Sequence, residues 1–129
     1  MKIYITSLIS LLILDALWIG VLAKSFYQKH LGYLFAEKFT LWPAGIFYLI
    51  YAFGIMFFVV NPGIQEKSAF VVFYRGALLG LIAYAAYDLT NQATINKWPV
   101  VITIVDLLWG AVVTALVGLI TYFIVTKIQ

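Results

Sequence analysis

The sequence predicts an all-α integral membrane protein, a bundle of four transmembrane helices. Of its 129 residues, 65% are hydrophobic and only 10% are charged, whereas soluble domains carry about 25% charged residues. A soluble chain of this length has too little interior to bury so much apolar surface. The apolar residues also fall into four segments, each near the roughly 20 residues that a helix needs to cross a bilayer.

These four segments predict one domain covering residues 1–129, with helices at residues 3–23, 43–60, 70–92 and 99–126. Pro43 and Pro99 suit the first turn of a helix, where a backbone N–H is not needed. The sequence Asn61-Pro62-Gly63 predicts a stop and a turn after the second helix. Asp15 and Trp18 interrupt the first segment where a signal peptide is most hydrophobic, so we expect a retained helix.

The longest loop, between the first two helices, has apolar residues at helical spacing, among them Tyr27, Leu31 and Leu34. Lys24, Gln28 and Lys29 lie elsewhere on the helical wheel. This pattern predicts an amphipathic helix on the membrane surface. An ordinary loop with scattered aromatic residues is the alternative.

Three of the five acidic residues, Asp15, Asp88 and Asp106, lie within predicted spans. A central aspartate costs about 2.5 to 3.5 kcal/mol on insertion scales, so these residues must face protein or a water-filled cavity. Because consecutive helices alternate in direction, all three lie in the same half of the bilayer in either orientation. Counting from the nearest helix ends places them about 12, 6 and 11 Å deep.

Each aspartate has a polar residue three positions later, on the same helix face: Trp18, Asn91 and Trp109. Tyr84 and Tyr87 lie close to Asp88 on the third helix. These eight residues form the candidate ligand- or proton-binding site, a seam of carboxylates in one half of the bilayer. Since cations are nearly absent from it, the seam is expected to hold a proton, a cation or a ligand with hydrogen-bond donors.

A purely structural role is the alternative for these aspartates. Hydrogen bonds between membrane helices contribute only about 0.6 kcal/mol on average. Asparagine or serine would supply as much without an ionisable group. The sequence therefore favours a functional site.

Small residues four positions apart mark two helices: Gly76 and Gly80 on the third, and Gly110, Thr114 and Gly118 on the fourth. Such faces let helix backbones approach closely. Packing within the chain is the preferred interpretation, and a homodimer contact is the alternative. Either orientation places four Lys or Arg residues on the cytoplasmic side, so orientation is undetermined and an antiparallel dimer is compatible with the charges.

Several function classes find no support in the sequence. It has no cysteine for disulfides, thiolate catalysis or metal binding. We find no phosphate-binding glycine loop, no Ser/His/Asp set and only one histidine, His30. Three carboxylates could bind a hard cation, but we expect no metal and no cofactor. The absence of a basic cluster argues against a nucleic-acid partner.

The stretches "LDALWIG", "FYQKHLG", "YDLTNQAT" and "WPVVITIVDLLWGAVVT" resemble a family of four-span bacterial membrane proteins designated domain of unknown function 2177. The resemblance covers essentially the whole chain. It implies a multi-pass protein of the bacterial inner membrane, and it implies no particular activity. The matching residues are those of the three aspartate motifs: Asp15, Trp18, Asp88, Asn91, Asp106 and Trp109.

Three functions are consistent with these features. The first is the binding or translocation of a small or amphiphilic, lipid-like ligand, in response to a proton or cation on the aspartates. The second is an intramembrane enzyme, or a subunit of one, that uses paired carboxylates as acid and base on lipid or another apolar substrate. The absence of a nucleophile and of metal ligands counts against it. The third is a structural or accessory protein that binds a partner through its glycine faces.

Overall fold

Four long apolar helices make up the bundle in the computed structural model, which describes residues 1–128. A short helix, α2, lies between the first two. The helices are α1 (Lys2–Leu22), α2 (Lys24–Leu31), α3 (Trp42–Glu66), α4 (Ala69–Thr94) and α5 (Val100–Ile128). Each of the four long helices is long and apolar enough to cross a bilayer. The predicted fold, a four-helix membrane bundle, is confirmed.

The predicted stop at Asn61-Pro62-Gly63 is wrong, because the helix continues through these residues to Glu66. A π-helical turn, Met56–Val60, immediately precedes them. Pro62 has no N–H to donate to the carbonyl of Phe58, four residues earlier. That carbonyl instead accepts a hydrogen bond from the Arg75 guanidinium at 3.2 Å. The proline is therefore tolerated inside α3, which ends at Lys67 with a left-handed φ of 52°.

Helices α4 and α5 form the closest helix pair of the bundle, and glycines make this approach possible. A Cβ atom on Gly80 would lie 1.9 Å from the carbonyl oxygen of Gly110. One on Gly76 would lie 2.8 Å from the Cα atom of Ala115. A Cβ atom on Gly118 would lie 2.9 Å from side-chain atoms of Val59 on α3 and of Val72 on α4. All these contacts lie within one chain, which is the interpretation that the sequence favours for the glycines.

Helix α1 packs into the bundle against α3 and α5. Ser7 on α1 and Thr121 on α5 are fully buried, and their hydroxyls lie 3.2 Å apart in a hydrogen bond. Tyr4 donates a hydrogen bond of 2.9 Å to the Leu49 carbonyl of α3. On the outside of the bundle, large apolar side chains are exposed on every long helix. This surface is suited to lipid, and it leaves the interior for the polar groups.

Helix α2 covers the end of the bundle at which the three aspartates lie. Its Phe26, Tyr27 and Leu31 side chains pack against Trp98 and Ile102 at the start of α5. The predicted amphipathic helix is thus present for eight residues. Its apolar face lies against the bundle, where the sequence predicted contact with the membrane surface.

Candidate functional site

The three aspartates lie at nearly the same depth. Counted at 1.5 Å per residue from Leu22, Thr94 and Val100, they are each about 9 to 10 Å from the helix end. Asp88 is fully buried, and Asp15 and Asp106 are only 7% and 9% exposed. The prediction that none of them faces lipid is confirmed. Their surroundings, however, divide them into two separate sites.

Asp15 forms the first site, in which both carboxylate oxygens accept hydrogen bonds. Tyr48 on α3 donates to one oxygen at 2.5 Å. Trp109 on α5 donates to the other through Nε1 at 3.1 Å. Hydrogen bonds to an ionised acceptor are stronger than those between neutral groups. The carboxylate therefore ties three helices together at one point.

Asp88 and Asp106 form the second site, at the contact between α4 and α5. Tyr27 on α2 donates a hydrogen bond to Oδ1 of Asp106. Both oxygens of Asp88 are buried and have no hydrogen-bond partner among residues 1–128. The Asp88 carboxyl lies within hydrogen-bonding reach of the Asp106 carboxyl. Two ionised carboxylates both accept and cannot bond to each other, so a hydrogen bond between them requires a shared proton, and a cation is the alternative that would join them.

Aromatic side chains connect the two sites. The Trp18 and Trp109 rings stack with centroids 4.4 Å apart and an interplanar angle of 8°. Trp18 Nε1 donates to the Tyr27 hydroxyl at 3.0 Å, and Tyr27 in turn donates to Asp106. Burial, and then the hydrogen bond to Asp106, raise the pKa of Tyr27 well above its ordinary range. The hydroxyl therefore keeps its proton at neutral pH and remains a donor to Asp106.

Within residues 1–128, none of the three aspartates is hydrogen-bonded to the residue three positions later on its own helix. Trp18 bonds Tyr27, and Trp109 bonds Asp15 on the other helix. Asn91 makes no hydrogen bond to Asp88, whose oxygens have no partner. The two indole rings stack on each other, while the Trp18 N–H reaches Tyr27 on α2 and the Trp109 N–H reaches Asp15 on α1.

Tyr27 and Tyr48 are the donors that sequence reasoning did not assign to the site. In the sequence both are aromatic residues of apolar or amphipathic segments, at spacings that are consistent with packing alone. They become donors because the fold brings α2 to Asp106 and α3 to Asp15. Buried carboxylates need hydrogen-bond donors, and this requirement was the one signal that could have assigned nearby tyrosines to the site.

The three aspartates do not form a single cluster. Within the described chain, residues 1–128, no group of three or more His, Cys, Asp or Glu residues is placed to hold a metal ion. Hydrogen bonds give the aspartates of the predicted seam different partners, Tyr48 and Trp109 for Asp15 and Tyr27 for Asp106, while Asp88 has none within the described chain. Alternation of helix direction sets the depth of a residue, but the rotation of each helix decides which residues meet.

Grooves indent the surface of the bundle, among them five whose linings contain no aspartate. Two lie at the end where the aspartates are. The larger, of about 660 Å³, is the aromatic groove, lined by Pro43, Ala44, Phe47, Ala83, Tyr84 and Tyr87. The other, of about 500 Å³, is the α2 groove, whose lining includes Lys24, Tyr27 and Phe39. The predicted site residues Tyr84 and Tyr87 thus line a groove beside the carboxyl pair.

A protein-family model described as "Predicted membrane protein (DUF2177)" matches residues 1–123 of the chain. The matched region includes α1 to α4, most of α5 and all three aspartates. No curated protein and no solved structure matches the chain. The description of the family names no ligand and no reaction, so the functional argument depends on the contacts above.

Proposed function

Because the chain belongs to the DUF2177 family of predicted membrane proteins, we propose a membrane function centred on its buried carboxyl pair. The protein binds or translocates a small or amphiphilic ligand in the bacterial inner membrane. Asp88 and Asp106 hold the proton or cation to which the protein responds. The family match and the four apolar helices support a multi-pass membrane protein, and the ligand-linked role is our proposal.

The observation that carries this proposal is the state of Asp88. A buried carboxylate without hydrogen bonds or a counter-ion is strongly disfavoured, and such groups take up a proton or pair with a cation. The Asp88 oxygens have neither kind of partner within the described chain. An apolar residue at this position would fill the same space without that penalty. A carboxyl here is best explained by the proton or cation that it can bind and release.

The position of the pair also supports a link to conformational change. Asp88 and Asp106 lie on the two helices that pack most closely, and Tyr27 attaches α2 to Asp106. A second attachment lies just after α2, since Tyr33, in the turn that follows this helix, donates to the Lys97 carbonyl in the turn before α5. Release of α2 would uncover the carboxyl pair. A change in the charge of the pair therefore acts directly on the element that covers it.

Infrared spectroscopy of the full chain reconstituted in liposomes tests this proposal. A protonated carboxyl gives a C=O band that is absent from the ionised form, and the band can be titrated with pH. We expect a titrating band in the wild type that is lost in Asp88→Asn and in Asp106→Asn. Asp15→Asn is the matched control and should keep the band. A band that is unchanged in Asp88→Asn and Asp106→Asn would contradict the proposal.

A further inference from the structure

We propose that the aromatic groove binds a lipophilic organic cation that enters sideways from the bilayer. This inference rests on the proposed function, because it names the class of ligand to which the carboxyl pair responds. The groove lies between the start of α3 and the second half of α4, in the same half of the bundle as the aspartates. Three observations support a cation: the opening of the groove, its walls and the charges behind it.

The groove opens on the outer, apolar surface of the bundle. Phe47 and Tyr87, on its two sides, are 43% and 59% exposed. Its volume of about 660 Å³ lies within the range of about 300 to 1,000 Å³ that is usual for small-molecule sites. A ligand with an apolar body dissolved in the bilayer would therefore reach the groove without crossing the polar interior.

The walls of the groove are aromatic and uncharged. Phe47, Tyr84 and Tyr87 contribute rings, and the remaining lining residues are Pro43, Ala44 and Ala83. Aromatic faces attract cations, most strongly where water is excluded. The Tyr84 ring is held against Gly110, where an added Cβ atom would lie 2.3 Å from the ring. One wall is therefore rigid, while Tyr87 lies on the open side.

Carboxyl groups lie behind these walls, and a pair of carboxyl groups that shares one proton still carries one negative charge. Asp88 follows Tyr87 in the chain and lies one helical turn after Tyr84, on the same face of α4. The Tyr84 ring also packs against Gly110, which lies one helical turn after Asp106 on α5. Charges interact over longer distances in a low-dielectric interior than in water. The groove therefore favours a positive ligand and disfavours a negative one.

The α2 groove is an internal contrast to the aromatic groove. Both have mostly apolar linings and comparable volumes, about 500 and 660 Å³. The α2 groove, however, includes the Lys24 ammonium in its lining. A cation is repelled there, so cation binding should depend on the aromatic groove and not on apolar surface in general.

The test uses two probes of similar shape and opposite charge, tetraphenylphosphonium and tetraphenylborate. Their binding to the full chain in detergent micelles is measured by titration calorimetry, with empty micelles as the blank. We expect the phosphonium to bind at least tenfold more tightly than the borate. Tyr87→Leu should weaken phosphonium binding about tenfold, as expected for the loss of a desolvated cation–π contact. Phe39→Leu, in the α2 groove, is the matched control and should bind as the wild type does.

Equal affinity for the two probes, or phosphonium binding that Tyr87→Leu leaves unchanged, would overturn the inference. Tyr87 is 59% exposed, so its replacement is not expected to unfold the protein. The infrared titration of Asp88 separates this inference from the proposed function. If the carboxyl band titrates but the phosphonium does not bind, the ligand class is wrong and the proposed function stands. If the band also fails to titrate, both are wrong.

Discussion

Asp15 and Asp88 are the same residue type at the same depth, yet their surroundings are opposite. Asp15 accepts hydrogen bonds from Tyr48 and Trp109 on two other helices. Asp88 is fully buried, has no partner and faces the carboxyl of Asp106. Depth and hydropathy therefore do not distinguish these two carboxyl groups. The number of donors that surround each carboxylate does.

The comparison assigns different roles to the two sites. The Asp15 site has the features of a structural contact, since each carboxylate oxygen accepts a hydrogen bond and three helices meet there. The pair Asp88 and Asp106 has the features of a binding site, since it is incomplete without a proton or cation. Substitutions at Gly80, at the two aspartates Asp15 and Asp88, and at Tyr27 test this distinction.

Replacing Gly80 should have the largest effect, because it forces α4 away from α5. In Gly80→Ala, the new Cβ atom would meet the Gly110 backbone at 1.9 Å, and backbone cannot move aside as a flexible side chain can. We expect a loss of about 3 kcal/mol in the free energy of unfolding, the upper part of the usual range for overpacking. Unfolding in mixed detergent micelles, followed by circular dichroism, measures this loss.

Gly54→Ala is the matched control for Gly80→Ala, since no atom lies within 4 Å of the added Cβ. Alanine is the better helix former by up to about 1 kcal/mol, so this variant should be equally or more stable than the wild type. The same Gly80→Ala sample should lose the titrating carboxyl band, since Asp88 and Asp106 separate. A stable Gly80→Ala protein with an intact band would show that the helix contact does not hold the pair together.

Replacing Asp15 should lower the stability of the protein, whereas replacing Asp88 should leave it unchanged or raise it. Asp15→Ala leaves the Tyr48 hydroxyl and the Trp109 N–H without an acceptor, which should cost about 1 to 3 kcal/mol. Asp88→Leu replaces an unpartnered buried carboxyl with an apolar group of similar size, so stability should be unchanged or higher. Unfolding of both variants under one set of conditions gives the comparison. If Asp88→Leu is as unstable as Asp15→Ala, the two sites do not differ as described.

Replacing Tyr27 should have the smallest effect at neutral pH. Tyr27→Phe removes a hydroxyl that accepts from Trp18 and donates to Asp106, and we expect a loss of about 1 kcal/mol. Because burial raises the pKa of Tyr27 in the folded protein, the contribution of its hydroxyl is complete below the unfolded pKa, near 10. This contribution to stability is lost as the pH rises above the unfolded pKa and passes through the pKa that Tyr27 has in the folded protein.

Unfolding of the wild type and Tyr27→Phe at several pH values measures this dependence. The stability difference between them should shrink or reverse as the pH rises above the ordinary tyrosine pKa of about 10. Tyr33→Phe is the control, since its hydroxyl donates to the Lys97 carbonyl outside the site. If the stability difference between the wild type and Tyr27→Phe does not change with pH, the Tyr27 hydroxyl does not act as a neutral donor to Asp106.

Several features of this protein could be predicted without its structure. Four apolar segments of about 20 residues predict four transmembrane helices, because a helix makes all its backbone hydrogen bonds within its own segment, as the absence of water in lipid requires. The burial of Asp15, Asp88 and Asp106 follows from the cost of exposing them to hydrocarbon. Their common half of the bilayer follows from alternation of the helices. The close glycine packing also follows from spacing along one helix face, since Gly76 and Gly80 lie four residues apart.

Other features depend on tertiary structure. The sequence could not show that Trp109 donates a hydrogen bond to Asp15 or that Tyr27 donates one to Asp106. Nor could it show that Asp88 has no donor within the described chain. Nor did it predict that α3 continues past Pro62, because the carbonyl of Phe58 is satisfied by Arg75 on another helix. Local spacing determines which side chains share a face and how deep they lie. Hydrogen bonds between helices depend on rotation and packing, and in this protein those bonds distinguish the structural aspartate from the proposed binding pair.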